Sequence, residues 1–195
     1  WTTSLRLDKS VTMERCINFR KAGCTNLTFG LETINPRLLS LIDKGISLET
    51  AQKTLSNAAW AGFLTVAFMM VGLPTETEEE ARFYNGKLRE LITGGLIEGY
   101  IYNPLLLIPG SRYYHDPDRY GIAAISRPEG QDLEGTVADY EAPGMSRKTA
   151  WRLSHEFCFS EQSYPMEVRI GGRPCPVRQD IREIAAELQS DYGLL

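Results

Sequence analysis

Phe29-Gly30-Leu31-Glu32-Thr33-Ile34-Asn35, followed by Asp43-Lys44-Gly45 and then by Met70-Val71-Gly72-Leu73-Pro74, is the part of this 195-residue chain that decides its fold. The pieces read as short apolar strands that stop at a glycine and a polar residue. In a parallel α/β barrel, ligands sit at such strand ends and the loops that follow shape the site. The flanking sequence supports that reading on both sides.

Upstream, Trp1–Leu7 is a strand candidate turned by Asp8-Lys9-Ser10. Thr12 suits a helix N-cap, with Arg15 where an acidic partner is usual, and Gly23 is a natural stop for the helix that carries Met13, Cys16, Ile17 and Phe19. Asn26–Phe29 is the second strand. Asn35-Pro36 opens a short helix over Leu38, Leu39, Leu41 and Ile42, because proline suits a first turn, and Gly45 closes it. Ser47 and Thr50 begin another helix that runs through Trp60 to Gly62, with Leu48, Ala51, Leu55, Ala58 and Ala59 as its apolar stripe.

Phe63–Val71 is continuously apolar, the pattern of a parallel strand buried on both faces. The acidic run from Thr75 to Glu80 favours a helix start, and that helix extends to Thr93-Gly94-Gly95. Gly99–Ile108 is the fourth strand, ended by Pro109-Gly110. Four strand-then-helix units imply parallel strands with right-handed crossovers. They make half of an eight-stranded barrel and leave two open sheet edges.

From Ser111 the character changes. Residues 116–141 hold seven acidic side chains against Arg119 and Arg127, a net of −5, and with Pro117, Pro128, Gly130 and Gly135 they read as a long loop. Ser146 caps a helix over Ala150, Trp151, Leu153, Ser154 and Phe157. Met166–Ile170 is a short strand before Gly171-Gly172, and Ile181, Ile184, Ala185 and Leu188 mark a last helix. The expected fold class is α/β: a partial parallel β/α barrel over 1–110, an acidic loop-rich connection over 111–145, and a mostly helical extension over 146–195.

Composition narrows the function. A hydrophobic fraction of 43% and a charged fraction of 24% suit a soluble globular protein. With a net charge of −4 and no basic block, no nucleic-acid surface is indicated. The longest apolar stretch, Ala58 to Leu73, is broken by glycine and ends at proline, so no membrane span is expected. Cys16, Cys24, Cys158 and Cys175 are scattered without metal or disulfide spacing, which favours reduced thiols and the cytoplasm. The start at Trp1, without an initiator Met and in the middle of a strand pattern, suggests an excised piece.

Several residues have two readings. Glu32 at a strand end suits sugar hydroxyls, or simply caps the next helix. Lys44 offers a cation to an anionic group such as an amino-acid carboxylate, or stabilises a helix C-terminus. Gly72 lets a backbone approach a ligand closely, though strand–Gly–Pro–helix is also a well-made loop. His155 and Cys158, one helical turn apart, invite a metal or nucleophile reading, but a solvated helix face with Cys158 turned to the core is favoured. Tyr100, Tyr102, Tyr113 and Tyr114 could line a substrate cavity or pack at the rim.

Taken together, Ala22-Gly23-Cys24, Phe29 to Asn35, Asp43-Lys44-Gly45, Ala61-Gly62-Phe63, Phe68 to Thr77, Pro109 to Tyr114 and Tyr120-Gly121-Ile122 resemble the radical S-adenosylmethionine superfamily in order and spacing over residues 1–122. The resemblance implies two cofactors, S-adenosylmethionine and a [4Fe–4S] cluster, which together yield a 5′-deoxyadenosyl radical. It implies Glu32 near the ribose, Lys44 near the methionine carboxylate, and Gly72 and Leu73 beside the adenine, with Leu105 to Leu107 close. Arg6, at the end of the first strand, faces the same rim. Glu followed by Thr, together with the Lys-Gly pair, looks most like the branch that often carries a cobalamin-binding domain, so cobalamin held by another domain is part of the expectation.

One departure dominates: no CxxxCxxC cluster loop is present, and Cys16 and Cys24, eight apart, do not replace it. The expectation is a piece covering strands three to six of the barrel plus a C-terminal extension, inactive by itself. Its partners would be the small-molecule cofactor, the missing N-terminal half of the same protein, and another copy of itself across the open edges. The alternatives are a non-catalytic scaffold for a nucleotide-like ligand or partner, and an ordinary lyase-like barrel.

Overall fold

The computed structural model describes residues 1–126, 138–160, 168–170 and 173–175. Four parallel strands, β1 (Thr2–Arg6), β2 (Asn26–Glu32), β3 (Leu64–Val71) and β4 (Gly99–Pro104), form one sheet in the order β1-β2-β3-β4. Between them run α1 (Met13–Lys21), α2 (Pro36–Leu41), α3 (Leu48–Trp60) and α4 (Glu78–Thr93). Sequential parallel neighbours joined by helices are what a barrel segment requires.

The helices start where the polar residues allow. Thr12 accepts from Arg15 N at 3.2 Å, Asn35 from Arg37 N at 3.0 Å and Ser47 from Thr50 N at 3.1 Å. Thr77 and Glu80 form a reciprocal capping box at the head of α4. Each such cap is worth about 1 kcal/mol. Gly23 and Gly62 turn the chain out of α1 and α3 with φ of 81° and 77°.

Strand side chains alternate. Leu27, Phe29, Leu31, Ala67, Met69, Val71, Tyr100 and Tyr102 are buried in one core together with Cys16 of α1, Leu55 and Ala58 of α3 and Leu88 of α4. Each large side chain in that layer contributes about 1.5–3 kcal/mol. The opposite face is different. Phe68 and Ile101 are exposed there, so β3 is fully buried on one face only, against the expectation from its unbroken apolar run that both faces are covered.

Two strand ends also differ from expectation. β2 does not stop at Gly30 but continues to Glu32 across a register shift, with Gly30 opposite Phe68 and Glu32 opposite Met69. β4 leaves the sheet at Pro104, earlier than Ile108, because the chain beyond it turns to another partner: Leu107 pairs with Ala138 in an antiparallel bridge.

After β4 come α5 (Arg112–His115), a 3-10 turn (Asp118–Tyr120), and the antiparallel pair β5 (Ala124–Ser126) and β6 (Asp139–Glu141). The connection expected to be loop throughout thus contains a short hairpin, because Ala123, Ile125 and their neighbours find backbone partners at Asp139–Glu141. α6 (Arg147–Ser160) packs across β4, with Leu153 and Phe157 in the sheet's own core and the Phe157 ring 4.9 Å from that of Tyr102. A hairpin of β7 (Val168–Ile170) and β8 (Arg173–Cys175) follows. The helix expected over residues 181–188 lies outside the described residues. Among the described residues no helix is long and apolar enough to cross a membrane.

Candidate functional site

The carboxyl ends of β1, β2 and β3 meet at one rim. Glu32 ends β2 with φ of 65°, Asp43 precedes Lys44 with φ of 47°, and Thr75 follows Pro74 with φ of 68°. These are the three non-glycine residues with positive φ among the described residues, and all lie on the loops of this rim. Such backbone costs on the order of 1–3 kcal/mol per residue and persists only where its surroundings enforce it.

Glu32 and Lys44 form an ion pair between Oε1 and Nζ, with side chains 21% and 19% exposed. Arg6 Nη2 donates to the Lys44 carbonyl oxygen at 2.8 Å, so the end of β1 braces the lysine's backbone while its own side chain stays exposed. Asp43 is held from the far side by Arg119 at 2.8 Å. Gly30 lies beneath the pair: a Cβ there would sit 2.7 Å from Glu32 Oε1 and 3.0 Å from Lys44 Nζ. The structure therefore brings three of the five sequence-predicted residues, Arg6, Glu32 and Lys44, into one contact group.

Gly72 and Leu73 are placed differently. Leu73 is 2% exposed, packed with Leu38 and Leu105. Its amide and that of Gly72 both donate to one carboxylate oxygen, Glu76 Oε2, at 3.1 and 2.7 Å. Gly72 has φ of 77°, and a Cβ there would collide with Ala150 of α6. The two residues thus form the packed back of a loop and present no free backbone donor. Burial pushes the Glu76 carboxyl up to about 7; the two amides oppose that rise, Glu80 adds to it and Arg37 opposes it.

Arg37 ties the two loops together. It donates to Glu80 at 2.8 and 3.0 Å and to Thr75 Oγ1 and O at 2.7 and 3.0 Å. The Arg37 contact holds the Glu80 carboxyl down at about 2. Tyr113 closes the rim from above, its ring 4.5 Å from that of Tyr120 and packed with Leu41, Ile42 and Met70 beside Leu38, Leu73 and Leu105. Burial first, then Tyr120, Glu32 and Tyr140, raises its phenol.

Glu76, Arg37 and Tyr140 were not legible as site residues from the sequence. The one available signal was the carboxylate two residues past Pro74. Tyr100 and Tyr102 are packing residues under α6, and His155 is exposed with its ring stacked on Trp151. The side chain of Cys158 lies outside the described residues. Cys16 is fully buried, its thiol pushed up to about 11 by burial, and Cys24 donates to the Asn26 carbonyl at 3.5 Å. Neither fits a cluster ligand, and among the described residues no three His, Cys, Asp or Glu side chains are grouped to hold a metal ion.

Comparison with known proteins bears on the same segment. Residues 2–85 match the Radical SAM superfamily. An uncharacterized methyltransferase of Pyrococcus horikoshii is 30% identical over 80 residues, which is 41% of this chain and 17% of that protein. Among solved structures, the radical S-adenosylmethionine methyltransferase TsrM of Kitasatospora setae, with cobalamin and a [4Fe-4S] cluster bound, aligns with a TM-score of 0.60 at 14% identity. That alignment covers 92% of this chain and 39% of TsrM. Coproporphyrinogen III oxidase of Escherichia coli, a radical SAM enzyme, aligns at 0.57 and 16% identity over 83% of this chain and 32% of its own. The chain thus spans well under half of each relative, and the solved structures share its α/β barrel architecture.

Proposed function

We propose that this chain supplies one wall of the S-adenosylmethionine pocket and part of the substrate side of a radical SAM iron–sulfur enzyme. When bound beside a [4Fe–4S] cluster, S-adenosylmethionine supplies a radical for oxidoreductase or transferase chemistry. This chain's residues bind and orient it. Lys44 takes the methionine carboxylate, Glu32 accepts from the ribose hydroxyls, Arg6 fixes the Lys44 backbone, and the Gly72–Leu73 loop forms an apolar back beside the adenine. The cluster belongs to the longer protein, and the chain by itself is catalytically inactive. Cobalamin, expected from the branch resemblance, would be held by another domain, and a cytoplasmic protein that also pairs through its open sheet edges completes the reading.

The observation that carries this reading is the Glu32–Lys44 pair over Gly30. An ammonium and a carboxylate are held at one strand end, partly open, above a position where a Cβ would crowd both. That donor set suits a zwitterion carrying a sugar. Binding on this reading requires Lys44 to exchange Glu32 for the ligand's carboxylate, which frees Glu32 for the ribose hydroxyls.

Equilibrium dialysis of the chain against S-adenosylmethionine tests it. Binding is expected, and Lys44→Ala should weaken it by roughly ten- to a hundredfold, the range of a lost charged hydrogen bond. A chain that does not bind, or a Lys44→Ala variant that binds equally well, would overturn the assignment.

A further inference from the structure

The loop Gly72–Glu76 holds its shape through partners that come from two distant parts of the chain. Internally, Glu76 takes the Gly72 and Leu73 amides, and Glu76 N donates to Leu73 O at 2.9 Å. From the α2 side, Arg37 takes both oxygens of Thr75. Three further polar groups of the loop pair with residues 140–145. Tyr140 Oη donates to Gly72 O at 3.2 Å, Thr75 N donates to Pro143 O at 2.8 Å, and Met145 N donates to Glu76 O at 2.7 Å.

The approach is close enough to demand glycine. Gly144 has φ of 109°, and a Cβ there would strike the Glu76 carbonyl and lie 2.9 Å from the Thr75 carbonyl carbon. The strap is anchored before it reaches the loop: Ala138 N donates to Leu107 O at 2.8 Å, and Glu141 O accepts from Ala123 N at 2.7 Å. After it, α6 seats Ala150 against Gly72. The strap and α6 lie beyond residue 85, outside the superfamily match, while the loop they hold lies within it.

We propose that residues 138–145 are a positioning strap for the Gly72–Glu76 loop, with Tyr140 and Gly144 as its positioning residues, and that ligand affinity on the nucleoside side of the site depends on them. The proposal rests on the S-adenosylmethionine reading above. The physical reason is that Thr75, at positive φ, and Gly72, with its carbonyl turned inward, need partners that an isolated strand–loop–helix unit does not supply. Tyr140 touches the loop carbonyl and no reacting atom, so it acts through the loop.

The test uses the full chain, with Tyr140→Phe, which removes only the hydroxyl, and Gly144→Ala, which forces the strap off. Amide hydrogen exchange at Gly72, Leu73 and Thr75 should quicken by about fivefold in Tyr140→Phe, the equivalent of one hydrogen bond, and by more in Gly144→Ala. The unfolding midpoint of Tyr140→Phe should move little. Affinity for 5′-methylthioadenosine, which lacks the amino-acid half, should fall as much as affinity for S-adenosylmethionine. Lys44→Ala should weaken S-adenosylmethionine alone. Unchanged exchange in both strap variants overturns the strap. Unchanged ligand affinity in Tyr140→Phe, with Lys44→Ala still weakened, overturns its link to the site while the pocket reading stands. Failure of the wild-type chain to bind either ligand overturns the pocket reading and the proposal with it.

Discussion

Replacing Glu76 by glutamine should make the protein's stability less sensitive to pH, with a predictable sign. Glu76 is buried, and its carboxyl is raised from 4.5 to about 7 chiefly by that burial. The folded state therefore holds a proton that the unfolded chain has already released between these two values. The contribution of Glu76 to stability is fully present below about 4.5 and is lost as pH rises through about 7. At about 1.4 kcal/mol per pKa unit, the elevation corresponds to roughly 3 kcal/mol. Glu98, also raised to about 7 by burial, adds a loss of the same sign, so the wild-type curve carries both.

The difference between Glu76→Gln and wild type isolates the first. Glutamine keeps a carbonyl oxygen for the Gly72 and Leu73 amides and never ionises. Its extra N–H needs a partner, which costs on the order of 1 kcal/mol independently of pH. Urea unfolding at intervals from pH 4.5 to 8 should show the variant gaining roughly 3 kcal/mol on the wild type across that range. Two parallel curves would refute the reasoning, because they would mean that Glu76 titrates as an ordinary exposed carboxylate.

Gly30→Ala should cost little stability, since the atoms its Cβ would meet are the ends of two long side chains, yet it should weaken S-adenosylmethionine binding by at least tenfold by displacing them; dialysis alongside urea unfolding separates the two effects. Arg37→Ala should lower stability at neutral pH, and the gap from wild type should close as pH falls through the window from about 4.5 to about 2, because Arg37 is what holds Glu80 down. A gap that persists undiminished at pH 2 would contradict that role. β1 has a strand neighbour on one side only among the described strands, so the chain should self-associate at micromolar concentration, and light scattering that reports a clean monomer would refute edge pairing.

The sheet order and the helix starts were readable from the sequence because they rest on local signals. Thr12, Asn35, Ser47 and Thr77 each cap a helix as their residue types predict. Arg6 and Glu32 sit at strand ends, which converge in this architecture, whereas Lys44 follows α2 and was joined to them only through the family resemblance; the structure brings the three into contact. The one-sided burial of β3 was not readable, since an apolar run looks the same whether or not its second face is covered. Nor was the β5–β6 hairpin, because an acidic, glycine-rich stretch gives no pairing signal until its partner is known. The roles of Arg37, Glu76 and Tyr140 depend on contacts between residues 38 to 68 positions apart, or on burial that no local pattern encodes.

The division of labour at the rim follows from that contrast. The segment matched to the superfamily, residues 2–85, contributes the charged pair, the glycine beneath it and the strained loop. The geometry of the loop, however, is completed by Tyr140, Pro143 and Met145. Positive φ at Thr75 and a buried carboxyl at Glu76 both oppose folding, and neither would persist in a strand–loop–helix unit without outside support. A chain cut before residue 138 would lose three of the hydrogen bonds that fix the loop and, with α6, the Leu153 and Phe157 part of the sheet's core. On the proposed reading the site has two halves with separate supports: Glu32 and Lys44 rest on the barrel strands, and the Gly72–Glu76 loop rests in part on residues 140–145.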